Sequence, residues 1–209
     1  MSAGNRLAVL ITATLLVMSA HAQQPASVRQ TATFTAPDGA FHFGYPADFQ
    51  VCTKEDIEPC RRFAYIPICD WQTLACVLYP HERFQNTSFE EAAFQVREIL
   101  RDGKSPETAD ECVTPDKGEY LISAEHPVEV IGGISFLHGW DVEGPLMGNV
   151  NHIEIYRAFH NGRCFEACIT EAEANPDMSD PPLNTLTPVQ QKELQQTMAD
   201  ILHSLRFNK

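Results

Sequence analysis

Basic residues are scarce in this 209-residue chain: 15 Lys and Arg stand against 28 Asp and Glu, for a formal charge of −13. Such a field repels phosphate backbones and anionic lipid surfaces, which excludes nucleic acid as a partner. Also missing are the spacings that announce chemistry. The eight histidines form no H-x-x-x-H or H-E-x-x-H pair, and no G-x-S-x-G elbow or phosphate-cradling glycine loop occurs. The seven cysteines contain no C-x-x-C at a helix start that would lower a thiol pKa. No catalytic set and no cofactor-binding set is therefore predicted. The only long apolar run, Leu7 to Val17, is too short to span a bilayer.

That run follows Arg6 and closes in Ala20-His21-Ala22, the pattern of a secretory signal peptide with an A-x-A cleavage site. Cleavage after residue 22 removes one Arg and no acid, so the charge deepens from −13 to −14, and every cysteine stays in the mature chain. The expectation is a secreted or periplasmic protein with no membrane span after cleavage, folding where disulfides persist. We assign residues 1–22 to the signal peptide, 23–36 to an N-terminal segment and 37–209 to one domain, a length that supports a sizeable core.

Two segments read as helices. In NTSFEEAAFQVREILRDG, Ser88 and Glu91 match a capping box, Phe89, Ala92, Ala93, Val96, Ile99 and Leu100 form a helical stripe, and Asp102-Gly103 supplies a stop. The second begins at Thr187-Pro188 with Gln190 completing another box, and Leu194, Met198, Ile201, Leu202 and Leu205 line one face. Elsewhere the apolar period falls to two. FHFGY from Phe41, RRFAYIPIC, ACVLYP, ISFLHGWDVEG and NHIEIYRAFHNGRCFEACITEAE read as strands.

Asn161-Gly162 marks a two-residue hairpin, because a type I′ turn needs positive φ at both central positions. Its register pairs His160 with Arg163, Phe159 with Cys164, Arg157 with Glu166 and Ile155 with Cys168. Arg157 and Glu166 then form an opposite-charge cross-strand pair. Cys164 and Cys168 share a face but stand about 13 Å apart at roughly 3.3 Å per residue. That separation exceeds the roughly 7 Å between Cα atoms that a disulfide allows, and it is too great for a shared zinc ion. Cys52 with Cys60 and Cys69 with Cys76 bracket short loops and are expected to close locally. Cys112 is expected to pair with Cys164 or Cys168, leaving one of the seven over.

Candidate ligand groups are sparse. His138 and His152, with Asp141 or Glu154, could converge between strands into a metal site. In EAEANPDMSDPP, Glu171, Glu173, Asp177 and Asp180 could hold calcium, but without a glycine-punctuated loop the segment reads as a solvated acidic linker. Asn86-Thr87-Ser88 is a glycosylation sequon relevant only to a eukaryotic secretory route. Trp71 and Trp140 are possible surface or pocket anchors.

Several stretches resemble the PsbP-like α/β-sandwich superfamily. FTAPDGAFHFGYPADF is similar to its short strand followed by F-x-Y-P-x-x-F, YRAFHNGRCFEACITEAE resembles its late strands, and ADILHSLRF its closing helix. The resemblance implies an α+β fold, an antiparallel β-sheet flanked by helices, here stapled by disulfides. It also implies an accessory, docking or stabilising role. The resulting expectation is an exported, non-catalytic binding or accessory domain that engages an extracytoplasmic protein or a small ligand. The alternative is a metal-dependent protein or enzyme built around His138, His152 and Glu154.

Overall fold

The structure, a computed structural model, describes residues 30–60, 62–63, 67–69, 72–114, 128–143 and 150–208. For 62–63, 67–68 and 141–143 it describes the backbone alone. Residues 1–22, expected to be a signal peptide, and Trp71 lie outside the described residues. In chain order the strands are β1 (Thr31–Thr35), β2 (Phe41–Pro46), β3 (Gln50–Thr53), β4 (Arg62–Phe63), β5 (Pro67–Ile68), β6 (Thr73–Leu78) and β7 (Phe89–Glu98). There follow helix α1 (Ala109–Val113), then β8 (Val128–Ile131), β9 (Ile134–Glu143), β10 (Val150–His160), β11 (Arg163–Glu173), helix α2 (Pro188–Ser204) and β12 (Arg206–Phe207). Seven strands form one antiparallel sheet in the order β3-β6-β7-β11-β10-β9-β8, and β1-β2-β12 form a smaller one. No helix among the described residues is long and apolar enough to cross a membrane.

The large sheet is covered on one face by α2 and the small sheet. Phe41 and Phe43 of β2 and Leu194, Met198, Ile201 and Leu202 of α2 meet Phe94, Val96, Tyr156, Phe165 and Ala167 in the main core. Thr187 caps α2 by accepting from the Gln190 amide, and Gln190 reaches back to the cap, so this helix starts where its box predicts. The opposite face carries the disulfides and an ion cluster. Cys52–Cys60, Cys69–Cys76 and Cys112–Cys164 are bridged with Cα separations of 6.0, 5.6 and 5.4 Å. The register of the β10–β11 hairpin is the predicted one, with Asn161 and Gly162 at φ of 51° and 75°.

The expected helix over 88–103 is instead the strand β7. It sits between β6 and β11, with Ala92, Phe94 and Val96 in the main core and Ala93, Gln95 and Arg97 on the other face. Burial on both faces hides the period of two, and the pairing it gains from two neighbours outweighs helix propensity. Ser88 makes no capping box. Its N–H donates to Asn184 O, its carbonyl accepts from Ala174, and its hydroxyl is buried without a hydrogen-bond partner. Asp102 and Gly103, at φ of 50° and 77°, do mark a stop, but the stop of a strand. Two smaller corrections follow the same logic. RRFAYIPIC is not one strand but contains the two-residue strands β4 and β5, paired with each other. Glu171 and Glu173 are not in a linker, because β11 continues through them.

Cys168 is the cysteine left over. It is buried on the disulfide face, and burial pushes its thiol up to about 11. A thiol this buried is a small core residue, and reactive-thiol chemistry has no basis in it. Ellman titration of the native protein should therefore register no thiol, and one equivalent after unfolding in guanidinium. A fast-reacting native thiol would contradict this placement.

Candidate functional site

Strand alternation decides which candidate residues can meet. On β10, His152, Glu154 and Tyr156 point to the α2 side, and the register sets them across from Glu171, Ile169 and Ala167 of β11. On β9, Trp140 stands opposite Glu154 and His138 opposite Tyr156. The candidate metal ligands thus share one face. His138 Nε2 lies 4.0 Å from Glu154 Oε2, and its ring stacks on Tyr156 with centroids 4.3 Å apart. The Tyr156 hydroxyl donates to Glu154 Oε2 at 2.7 Å. Burial, then this bond to Glu154, drives the phenol's pKa well above its usual range, so Tyr156 keeps its proton and acts as a fixed donor.

His152 belongs to a different grouping, beside the pocket between α2 and the large sheet. The side chain of Asp141 lies outside the described residues. Among the described residues no three His, Cys, Asp or Glu side chains gather to hold a metal ion. The metal-dependent reading is left without a donor set there.

That pocket, of about 170 Å³, is lined by His152, Glu154, Ile169, Glu171, Gln191 and Gln195. Glu171 is its unusual member. It occupies an inward position in the series Phe165, Ala167, Ile169, Glu171, where its predecessors are core residues, and it is only 9% exposed. Gln191 Nε2 of α2 donates to its Oε2 at 3.2 Å. Burial raises the carboxyl to about 7, and the nearby Glu154 and Glu173 carboxylates push the same way, while the Gln191 bond opposes them. A side chain poised there is half protonated near neutrality.

The raised value has a stability consequence. Folding favours protonated Glu171, so its contribution is complete below the unfolded value of about 4.5 and is lost as pH rises through about 7. Ionising the group in place costs about 3 kcal/mol at most. Glu171→Gln should therefore gain stability relative to the parent as pH rises from 5 to 8, with no further gain above. Urea midpoints across that range test this. Parallel curves for the two proteins would remove Glu171 as the titrating group.

A larger cleft of about 540 Å³ lies near the other end of the sheet, lined by Asp48, Gln50, His81, Glu82, Glu90 and Glu91 around Tyr79 and Pro80. Arg83 beside it pairs with Asp48 and Glu193, which ties the 46–50 turn and α2 to the His81–Phe84 turn. No sequence motif singles out any of these residues. Tyr156, Gln191 and Gln195 carry no such signal either, and Glu171 stands out in the sequence only as a calcium candidate. The one local clue to the pocket is the acid at an inward position of β11.

No protein-family model matches the sequence, and no curated protein matches it. Among solved structures the fold is similar to the cyanobacterial PsbP (CyanoP) of Synechocystis sp. PCC 6803, at TM-score 0.44 and 11% identity over 88% of this chain and 96% of that one. It is also similar to LpqN of Mycobacterium tuberculosis, described as involved in cell envelope biogenesis, at TM-score 0.43 and 10% identity over 86% and 91%. A protein of Bacteroides thetaiotaomicron VPI-5482 matches at TM-score 0.43 and 11% identity over 85% of this chain and 48% of that one, so this chain spans about half its length. The likeness is one of fold, at a level that carries nothing about the site.

Proposed function

We propose that the protein is an exported, non-catalytic binding or accessory domain, and that it engages a cell-envelope protein or small ligand through the α2-side rim of the large sheet. The observation that supports this most is the pocket between α2 and β10–β11, a concavity with converging polar groups and one buried ionisable side chain. Trp140, 60% exposed, stands opposite the pocket residue Glu154 on the neighbouring strand and adds an exposed apolar surface beside it. Three disulfides give the sheet a covalent frame suited to an oxidising compartment.

The test is expression of the full chain in its host, followed by recovery from the envelope fraction and native mass spectrometry of what stays bound. The mature N-terminus should be Gln23. A stoichiometric ligand or protein should be present, and it should be lost in a Trp140→Ala, Glu154→Ala variant that still folds. A protein that is recovered alone, or one whose companion is indifferent to those substitutions, would overturn the proposal.

A further inference from the structure

The chemistry lining the α2 pocket narrows what it accepts. Glu171, 9% exposed, lines the pocket and receives a hydrogen bond from Gln191 to Oε2. Glu154 engages one oxygen with Tyr156 and is half exposed, which leaves its second oxygen for the pocket. The amide oxygens of Gln191 and Gln195 add further acceptors, and Ile169 supplies an apolar wall. An anion placed here would face two carboxylates on a chain of charge −13. A cation would meet the acceptors of Glu154, Glu171, Gln191 and Gln195, and the exposed indole of Trp140 stands opposite Glu154 on the neighbouring strand, surroundings that favour an organic cation. A bare metal ion is disfavoured because, among the described residues, no three carboxylate, histidine or cysteine ligands are grouped. An ammonium needs three acceptors of any kind.

We infer that this pocket binds a primary alkylammonium group, of a free amine or a lysine side chain, with Glu171 and Glu154 accepting its N–H bonds, Ile169 packing on the alkyl stem, and the Trp140 ring flanking Glu154 on the side away from Ile169. The inference rests on the binding reading above and deepens it by naming the ligand class. Occupancy is coupled to protons. The groups facing Glu171 are His152 and Glu154 from β10, Glu173 on its own strand, and the uncharged Gln191 and Gln195 from α2. An arriving ammonium replaces the proton that Glu171 holds near neutrality, so binding releases up to one proton, and affinity rises with pH.

Calorimetric titration of the full chain tests this with 1,5-diaminopentane for the free-amine source and Nα-acetyl-lysine methylamide for the side-chain source, at pH 6 and pH 8. The norleucine analogue of the latter is the neutral control. At least one amine should bind saturably, about tenfold tighter at pH 8 than at pH 6, with buffer-dependent heats that report proton release. Whichever amine binds identifies the source, and the control should give no heat. His152→Gln should keep most of the pH dependence. Glu171→Gln should weaken binding and abolish both the pH dependence and the proton release, while Trp140→Ala should weaken binding at both pH values. Circular dichroism confirms that each variant is folded. If neither amine binds, or if the pH dependence survives Glu171→Gln, the inference is wrong. An envelope partner lost with Trp140 and Glu154 but no amine binding would remove this inference and leave the broader proposal standing.

Discussion

Glu166→Gln should lower the thermal midpoint by roughly 6–20 °C. Glu166 is 0% exposed in the middle of β11, on the disulfide face. It accepts from Arg97 through Oε1 and from Arg157 through Oε2, and Arg157 is itself 2% exposed. Replacing the carboxylate by an amide leaves two guanidinium groups facing a neutral side chain, one of them sealed from water. Breaking a buried ion pair in this way costs about 3–5 kcal/mol, well above the few tenths that an exposed cross-strand pair contributes. Removing both buried charges is different, because an apolar pair of similar volume need not be desolvated. Arg157→Met with Glu166→Leu should therefore lose less than Glu166→Gln alone. Thermal and urea unfolding of Glu166→Gln, of Arg157→Met and Glu166→Leu singly, and of the double variant would measure the coupling. A loss below about 1 kcal/mol for Glu166→Gln would mean that water reaches the cluster.

The pair Arg157–Glu166 was legible in the sequence because a turn with two positive-φ residues sets the register of everything beyond it. The same local determinism exposed α2, whose Thr187, Pro188 and Gln190 act within a single turn. What was hidden depended on distant chain. β7 carries helix formers, Glu90, Glu91, Ala92 and Ala93, and its strand state comes from β6 on one side and β11 on the other, at sequence separations no local pattern encodes. Burial of both its faces then removed the alternation that would have revealed it.

The site was half legible for a related reason. The period of two puts His138, His152 and Glu154 on one face, but the partner of His138 is the Tyr156 ring, and the pocket beside His152 is closed by Gln191 and Gln195 from a helix almost forty residues away. Glu171 looks like the start of an acidic linker because it precedes Glu173, Asp177 and Asp180. Its place as the fourth inward residue of β11 becomes visible only once the strand is known to continue through it.

Removing the bridge Cys112–Cys164 with a pair of alanines should cost about 4 kcal/mol, and removing Cys52–Cys60 about 2.5 kcal/mol, since the first closes a 52-residue loop and the second one of eight. Alanine is the replacement that adds no polar atom at a site where both Cys112 and Cys164 are fully buried beside Ile99. The long bridge fastens α1, a five-residue helix too short to persist alone, onto the hairpin. Amide exchange should accordingly accelerate first at residues 109–113 and least in β10 and β11. The position of the bridge also predicts what will not change. Cys164, Glu166 and Cys168 occupy the even positions of β11, facing away from α2, whereas Ile169 and Glu171 occupy the odd positions that face the pocket. One strand therefore divides the protein into a stapled face and a pocket-bearing face. A variant without Cys112–Cys164 should lose stability yet retain the pH response of Glu171, measured as the same rise in stability on Glu171→Gln between pH 5 and pH 8. Loss of that response together with the bridge would show that the two faces communicate through β11 and that the strand does not separate them.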